Sequence, residues 1–126
     1  MKPEFSQFRQ LQRSFQYAFT GIGTMLVTQR NARIHAAGTV ALIACGFLAG
    51  VARLEWCWLI LALMALWTAE ALNTAFEFLA DVASPEYHPL VKKAKDVAAG
   101  AVLMAAIGTA TVSLLVFAPY ILRLCR

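Results

Sequence analysis

The segment Glu70-Ala-Leu-Asn73-Thr-Ala-Phe-Glu77-Phe-Leu-Ala-Asp81 sets carboxylates and an amide into an otherwise apolar run. At 100° per residue, Glu77 and Asp81 fall within about 20° of Glu70, and Asn73 lies about 60° to one side. A helix here therefore carries all four groups on one stripe. Carboxylate and amide oxygens are hard ligands that suit Mg²⁺, which keeps waters and bridges substrate phosphates. A further carboxylate can act as general base toward a hydroxyl. Downstream, Lys92, Lys93, Lys95 and Asp96 add amines that can hold phosphate oxygens and balance their charge. Together these residues suit a phosphate-bearing cytoplasmic substrate at a membrane face, since phosphoryl transfer needs mostly positioning, metal and positive charge. The competing structural reading makes the stripe glue between helices, with Asp81 solvated at the interface and the lysines serving topology or lipid contact.

The elements that must position this stripe follow from composition and period. Hydrophobic residues make up 60% of the 126, against roughly 45–50% in soluble domains. A chain this short cannot bury so much apolar surface against itself, so lipid is the sink. The reading is all-α: an integral membrane protein with three transmembrane helices and an N-terminal amphipathic surface helix, in one domain. Phe5, Phe8, Leu11, Phe15, Phe19, Ile22 and Leu26 share one helical face over about residues 4–28, and a basic, aromatic helix of this kind suits the membrane interface. Gln29–Arg33 reads as a polar break. Spans are expected at about 34–51, 56–80 and 97–122, each near the ~20 residues that cross a bilayer. Ser84-Pro85 to Pro89 ends the second span, because proline lacks a donor and restricts its predecessor. Ala101, Ala105, Thr109 and Ser113 recur every fourth residue, a small-residue stripe that lets another helix approach. Basic residues sit mainly in the N-terminal region (Lys2, Arg9, Arg13, Arg30, Arg33) and the second loop (Lys92, Lys93, Lys95). Only Arg53, Arg123 and Arg126 lie opposite, which puts the N-terminus and second loop in the cytoplasm.

Other chemistries find little support. Cys45, Cys57 and Cys125 stand singly and read as buried thiols. His35 and His88 show no zinc spacing. The net charge of +4 comes with no basic run or aromatic interleaving of a nucleic-acid module. Gly21-Ile-Gly-Thr24 is not a P-loop, and the protein-kinase signatures are absent. The first long apolar run starts too late for a cleavable signal peptide.

The run Glu70-Ala-Leu-Asn73-Thr74-Ala75-Phe-Glu77, then Asp81, Glu86-Tyr87-His88-Pro89-Leu90 and Ala94-Lys95-Asp96, resembles the bacterial diacylglycerol kinase family, which includes undecaprenol kinases. The resemblance extends from Phe8 to the third span. It implies a homotrimer in the cell membrane that uses ATP and Mg²⁺ to phosphorylate a lipid hydroxyl, with sites at the cytoplasmic boundary between subunits. It implies further that Glu70 is the general base and that Glu77 binds metal. Asn73, Lys95 and Asp96 would support the nucleotide and the site geometry, while Asp81 and His88 lie near it. Many members have glutamate at the position of Gln29, where it helps Glu77 hold metal; glutamine keeps the carbonyl oxygen and loses the charge. Phe76 and Ala80 depart from the aliphatic residues usual there, and Arg9 or Arg13 matches an arginine of the surface helix. Arg30-Asn31-Ala-Arg33-Ile34-His35 looks more like the undecaprenol kinase branch, so diacylglycerol and undecaprenol both stand as substrates. The rival expectation is a non-catalytic homologue whose acidic stripe is structural.

Overall fold

The computed structural model describes residues 3–124. Lys2, Cys125 and Arg126 of the sequence reading lie outside them, as does the side chain of Phe5. The described residues form α1 (Pro3–Thr28), α2 (Arg30–Ala49), α3 (Arg53–Ala83) and α4 (Pro89–Leu124), with no strand among them. Three helices, α2, α3 and α4, are long and apolar enough to cross a membrane. Contacts divide the chain into two units, residues 1–34 and residues 35–126.

In the first unit, Phe8, Leu11, Phe15, Phe19 and Ile22 of α1 are all exposed. The apolar stripe read from the sequence is therefore not consumed by a core. The polar break expected over Gln29–Arg33 shrinks to Gln29 alone, and α2 starts at Arg30. The reason is local. Gln29 N–H donates to Met25 O at 2.8 Å, and Arg33 N–H reaches back to Gln29 O at 3.4 Å. Backbone pairing thus carries across the junction, and polar side chains do not by themselves stop a helix.

In the second unit, the turn between α2 and α3 is closed by backbone geometry. Gly50 takes φ +66°, Val51 N–H donates to Gly46 O at 3.1 Å, and Gly50 N–H donates to Phe47 O at 3.2 Å. This is a Schellman closure, in which only glycine adopts the left-handed position at no cost. Glu55 then accepts from Ala52 N–H at 2.9 Å at the start of α3 and from the Tyr120 hydroxyl of α4. Arg53 and Glu55 belong to the helix, where the Glu55 carboxylate caps the free Ala52 N–H.

Below that end, Val51, Leu59 and Val116 are buried, with Leu42, Trp56, Val112 and Phe117 packed around them. The Trp56 ring lies so close to Gly46 that a Cβ there would sit 2.5 Å from Cη2; it also meets Phe47 at 5.1 Å between centroids. Near the middle of α4, Thr109 Oγ1 donates to Ala62 O of α3 at 3.1 Å. The small-residue stripe thus serves the α3–α4 seam at Thr109, which is buried, whereas Ala101 is exposed. Cys45 and Cys57 are free but exposed on the chain, which corrects the expectation of buried thiols. A membrane helix can turn apolar side chains outward because lipid replaces the core.

With 31 and 36 residues, α3 and α4 measure about 46 and 54 Å at 1.5 Å per residue. Both exceed a ~30 Å hydrocarbon layer, so the polar ends near the 84–88 loop stand clear of it. At Gly46 a side chain must displace Trp56. Gly46→Leu should lower the stability of the detergent-solubilised protein by about 1–3 kcal/mol, read as an earlier midpoint in SDS-titrated unfolding. A midpoint equal to wild type would show that the ring is not held there.

Candidate functional site at the polar end of the α3–α4 hairpin

The acidic stripe forms as α3 continues past Ala69 without a breaker until Ser84, whose N–H closes the last turn on Ala80 O at 2.9 Å. Glu70, Asn73 and Thr74 are buried, with exposures of 1%, 7% and 4%. Glu70 Oε2, Asn73 Oδ1 and Thr74 Oγ1 are sealed from solvent and find no hydrogen-bond partner among the described residues. Asn73 Nδ2 donates to Glu77 Oε1 at 3.2 Å, one turn on. The nearest basic group to Glu70 is His35, whose Nε2 lies 3.8 Å from Oε2. A deep carboxylate beside lipid costs several kcal/mol unless it is compensated, and the orphaned oxygens mark where compensation is still owed.

Four residues beyond Glu77, the stripe meets α4. Lys95 Nζ donates to Asp81 Oδ1 at 2.8 Å, and Lys92 Nζ to Asp96 Oδ2 at 2.6 Å. The start of α4 is fixed by its own sequence: Pro89 opens it, and the His88 ring accepts the Leu90 N–H at Nδ1, 3.3 Å away. This is an N-terminal cap followed by proline in its favoured first position. Ser84 Oγ donates to Glu86 O at 3.0 Å and folds the loop back. The result is an open cleft of about 420 Å³ lined by Asp81, Tyr87, His88, Lys92, Lys95 and Asp96, among others. Exposed ion pairs of this kind contribute only about 0–1 kcal/mol. Either lysine can therefore exchange its carboxylate for a phosphate at small cost.

The residues singled out from sequence thus fall at two levels. Lys95 and Asp96 share the cleft with Asp81, whereas Glu70 and Asn73 are buried deeper along α3. Eleven residues separate Glu70 from Asp81, about 16 Å along the axis, and Glu77 stands between. Gln29 lies in the other unit, at the single non-helical position between α1 and α2. Lys93 is exposed and does not line the cleft. Beside Asn73, an apolar groove of about 620 Å³ runs past Met64, Thr68, Leu72, Phe76 and Ala101, a lining suited to an alkyl chain.

Two residues of this region had no role in the sequence reading. His35 could have been flagged as the titratable group heading a span in an apolar run, but its partner lies 35 positions away. Thr74 could have been flagged by its i+4 spacing from Glu70. Thr20, Thr24, Thr28, Thr109 and Thr111 all donate to the carbonyl four residues back, the usual resort of a helical hydroxyl. Thr74 does not.

Among the described residues, no three His, Cys, Asp or Glu side chains gather into a self-sufficient metal cage. The Glu77 carboxylate beside the buried Asn73 amide nevertheless fits a Mg²⁺ whose remaining ligands are phosphates and water. The Thr74 hydroxyl contributes no bond to the fold, so Thr74→Val should leave the unfolding midpoint within the equivalent of about 0.5 kcal/mol. A loss of more than about 1 kcal/mol in SDS titration would assign it a structural partner.

The chain is 40% identical over 107 residues to the undecaprenol kinase of Bacillus subtilis, covering 85% of this chain and 87% of that one. It is 40% identical over 112 residues to the diacylglycerol kinase of Synechocystis sp., covering 88% of this chain but 64% of the longer relative. Residues 16–117, a stretch that includes the whole acidic stripe and both lysine–aspartate pairs, match the family described as prokaryotic diacylglycerol kinase. On that match and these identities, the chain belongs to the prokaryotic diacylglycerol kinase family.

Proposed function

We propose that this protein is a membrane lipid kinase that transfers the γ-phosphate of ATP to the hydroxyl of diacylglycerol or undecaprenol, with Mg²⁺ accompanying the nucleotide. The observation that carries this reading is Glu70. It is a carboxylate 1% exposed on a membrane-spanning helix, with one oxygen lacking any hydrogen-bond partner, in a chain of the kinase family. Buried ionisable groups in spans are costly and mark function.

In this reading Glu70 takes the proton of the lipid hydroxyl. The lipid oxygen forms a bond to the γ-phosphorus, and the bond to the bridging oxygen breaks with its electron pair leaving on ADP. Glu77 holds the cation, oriented by the amide of Asn73 at 3.2 Å. The cation, when bound, neutralises phosphate charge. Lys95 and Asp96 support the nucleotide at the cleft, where Lys95 exchanges Asp81 for a phosphate oxygen. The apolar groove beside Asn73 suits the lipid tail, so its hydroxyl arrives from the membrane side while phosphates arrive from water. Gln29 adds a carbonyl oxygen to the metal site where many relatives supply a carboxylate. The lysine-rich loop and N-terminal region face the cytoplasm, following the bias of basic residues. The protein works as a homotrimer in the cell membrane, with α1 at the interface. The large apolar side chains that α2 and α4 leave exposed suit contact with lipid and with neighbouring subunits.

Glu70→Gln should remain an assembled protein and lose about 10²–10⁴-fold in lipid-dependent transfer, the usual contribution of a general base. A rate equal to wild type would take Glu70 out of the mechanism. Gln29→Glu should lower the Mg²⁺ concentration for half-maximal rate, and an unchanged or higher requirement would refute the metal role of that position. Presenting diacylglycerol and undecaprenol side by side in mixed micelles identifies the acceptor. Failure to transfer phosphate to either, in a folded and assembled sample, would leave the non-catalytic reading, which the missing charge at Gln29 favours.

A further inference from the structure

Glu70 has two carboxylate oxygens, and the reaction proposed above uses one. The other, Oε2, is shut off from solvent and has no hydrogen-bond partner, yet it faces the His35 Nε2 at 3.8 Å. That approach is not accidental crowding. One turn along, the Trp67 Nε1–H of α3 donates to Thr39 Oγ1 of α2 at 3.1 Å. At the far end, the Trp56 ring of α3 is seated on Gly46 of α2. Three cross-helix pairs, His35 with Glu70, Thr39 with Trp67 and Gly46 with Trp56, advance in opposite directions along two antiparallel helices. They fix one register, and that register puts the imidazole of α2 on the carboxylate of α3.

We propose that His35 is a positioning residue for phosphoryl transfer, holding Glu70 through Oε2 so that Oε1 is presented to the lipid hydroxyl. The inference rests on the reading of Glu70 as the base. At 3.8 Å the pair stands just outside hydrogen-bond reach; catalytic hydrogen bonds often reach full strength only in the reacting complex. An imidazole N–H is suited to the task. It is a short, stiff donor that fixes the carboxylate plane, and it leaves the second oxygen free. The same division of labour lets an outer partner orient a metal ligand or a catalytic base, and losing such a partner costs about 10–100-fold in activity. His35 does not touch the phosphates in this scheme, so its removal acts on turnover and not on binding.

The test compares steady-state kinetics of wild type, His35→Ala, His35→Gln, Glu70→Gln and the double variant Glu70→Gln/His35→Ala in mixed micelles, each first checked for assembly by size-exclusion chromatography. His35→Ala should lower kcat about 10–100-fold with KM for ATP and for lipid within about twofold of wild type. His35→Gln, whose side-chain amide can offer an N–H near the place of Nε2, should recover a large part of that loss. In the Glu70→Gln background, adding His35→Ala should change the residual rate little, because the two residues act as a unit. Three results would overturn the inference: full kcat in His35→Ala; a loss that appears in KM; or equal losses in the alanine and glutamine variants. If His35→Ala does not assemble, the glutamine variant decides alone, since kcat well below that of wild type by more than tenfold would refute a role met by one N–H donor. Retained activity in Glu70→Gln is a separate outcome; it would remove the base itself and is told apart by that variant alone.

Discussion

One constraint governs the rest of this molecule: a carboxylate placed inside a membrane-spanning helix has to be compensated. Glu70 is buried in α3, where water cannot solvate it. The nearest basic group is a histidine on the preceding helix, 3.8 Å away, with a tryptophan–threonine hydrogen bond between the same two helices one turn along. Around it the chain leaves oxygens of Asn73 and Thr74 without partners. In a soluble core such a set would be a defect. On a helix that ends at an exposed cleft, the chemistry of these donors suits a hydroxyl, a cation and phosphates.

The hairpin of α3 and α4 turns that local cost into a site by its length. Both helices outrun the hydrocarbon layer, so the acidic stripe leaves lipid before α3 ends. It meets Lys92 and Lys95 where they can be hydrated. The two ends of the hairpin are closed by different means. Near the 84–88 loop, a serine, a histidine cap and a proline fix the chain direction with short-range contacts. At the other end, Glu55 ties the first turn of α3 to the Tyr120 hydroxyl of α4, and Arg123 lies 5.9 Å over that tyrosine ring. Between them the seam needs little more than small residues and one threonine hydrogen bond. A seam pinned at both ends sets the distance between the buried Glu70 and the exposed pair of lysines.

Two expectations changed for the same reason, that lipid and backbone obey different rules from a soluble core. Cys45 and Cys57 were expected inside because thiols are usually buried; they lie on the outer surface, where lipid is as good a neighbour as leucine. The polar run after α1 was expected to break the chain over five positions. It interrupts the helix only at Gln29, because charged side chains at a bilayer boundary are hydrated while the backbone keeps its hydrogen bonds.

What the sequence determined by itself is the part written in local spacing. The three spans come from apolar run length, the acidic stripe from steps of seven and eleven residues along α3, the loop from Ser84, Pro85 and Pro89, and the family from a motif whose order and spacing few chains share. These signals are one-dimensional, and period or composition carries them. Tertiary structure decided what depends on register between helices. That His35 faces Glu70, that Lys95 pairs with Asp81, and that Thr109 bridges to Ala62 are consequences of how far one helix slides along another. Between α2 and α3 that slide is marked by the fit of Trp56 on Gly46 and of Trp67 on Thr39, contacts between residues 10 to 28 positions apart that no periodicity encodes.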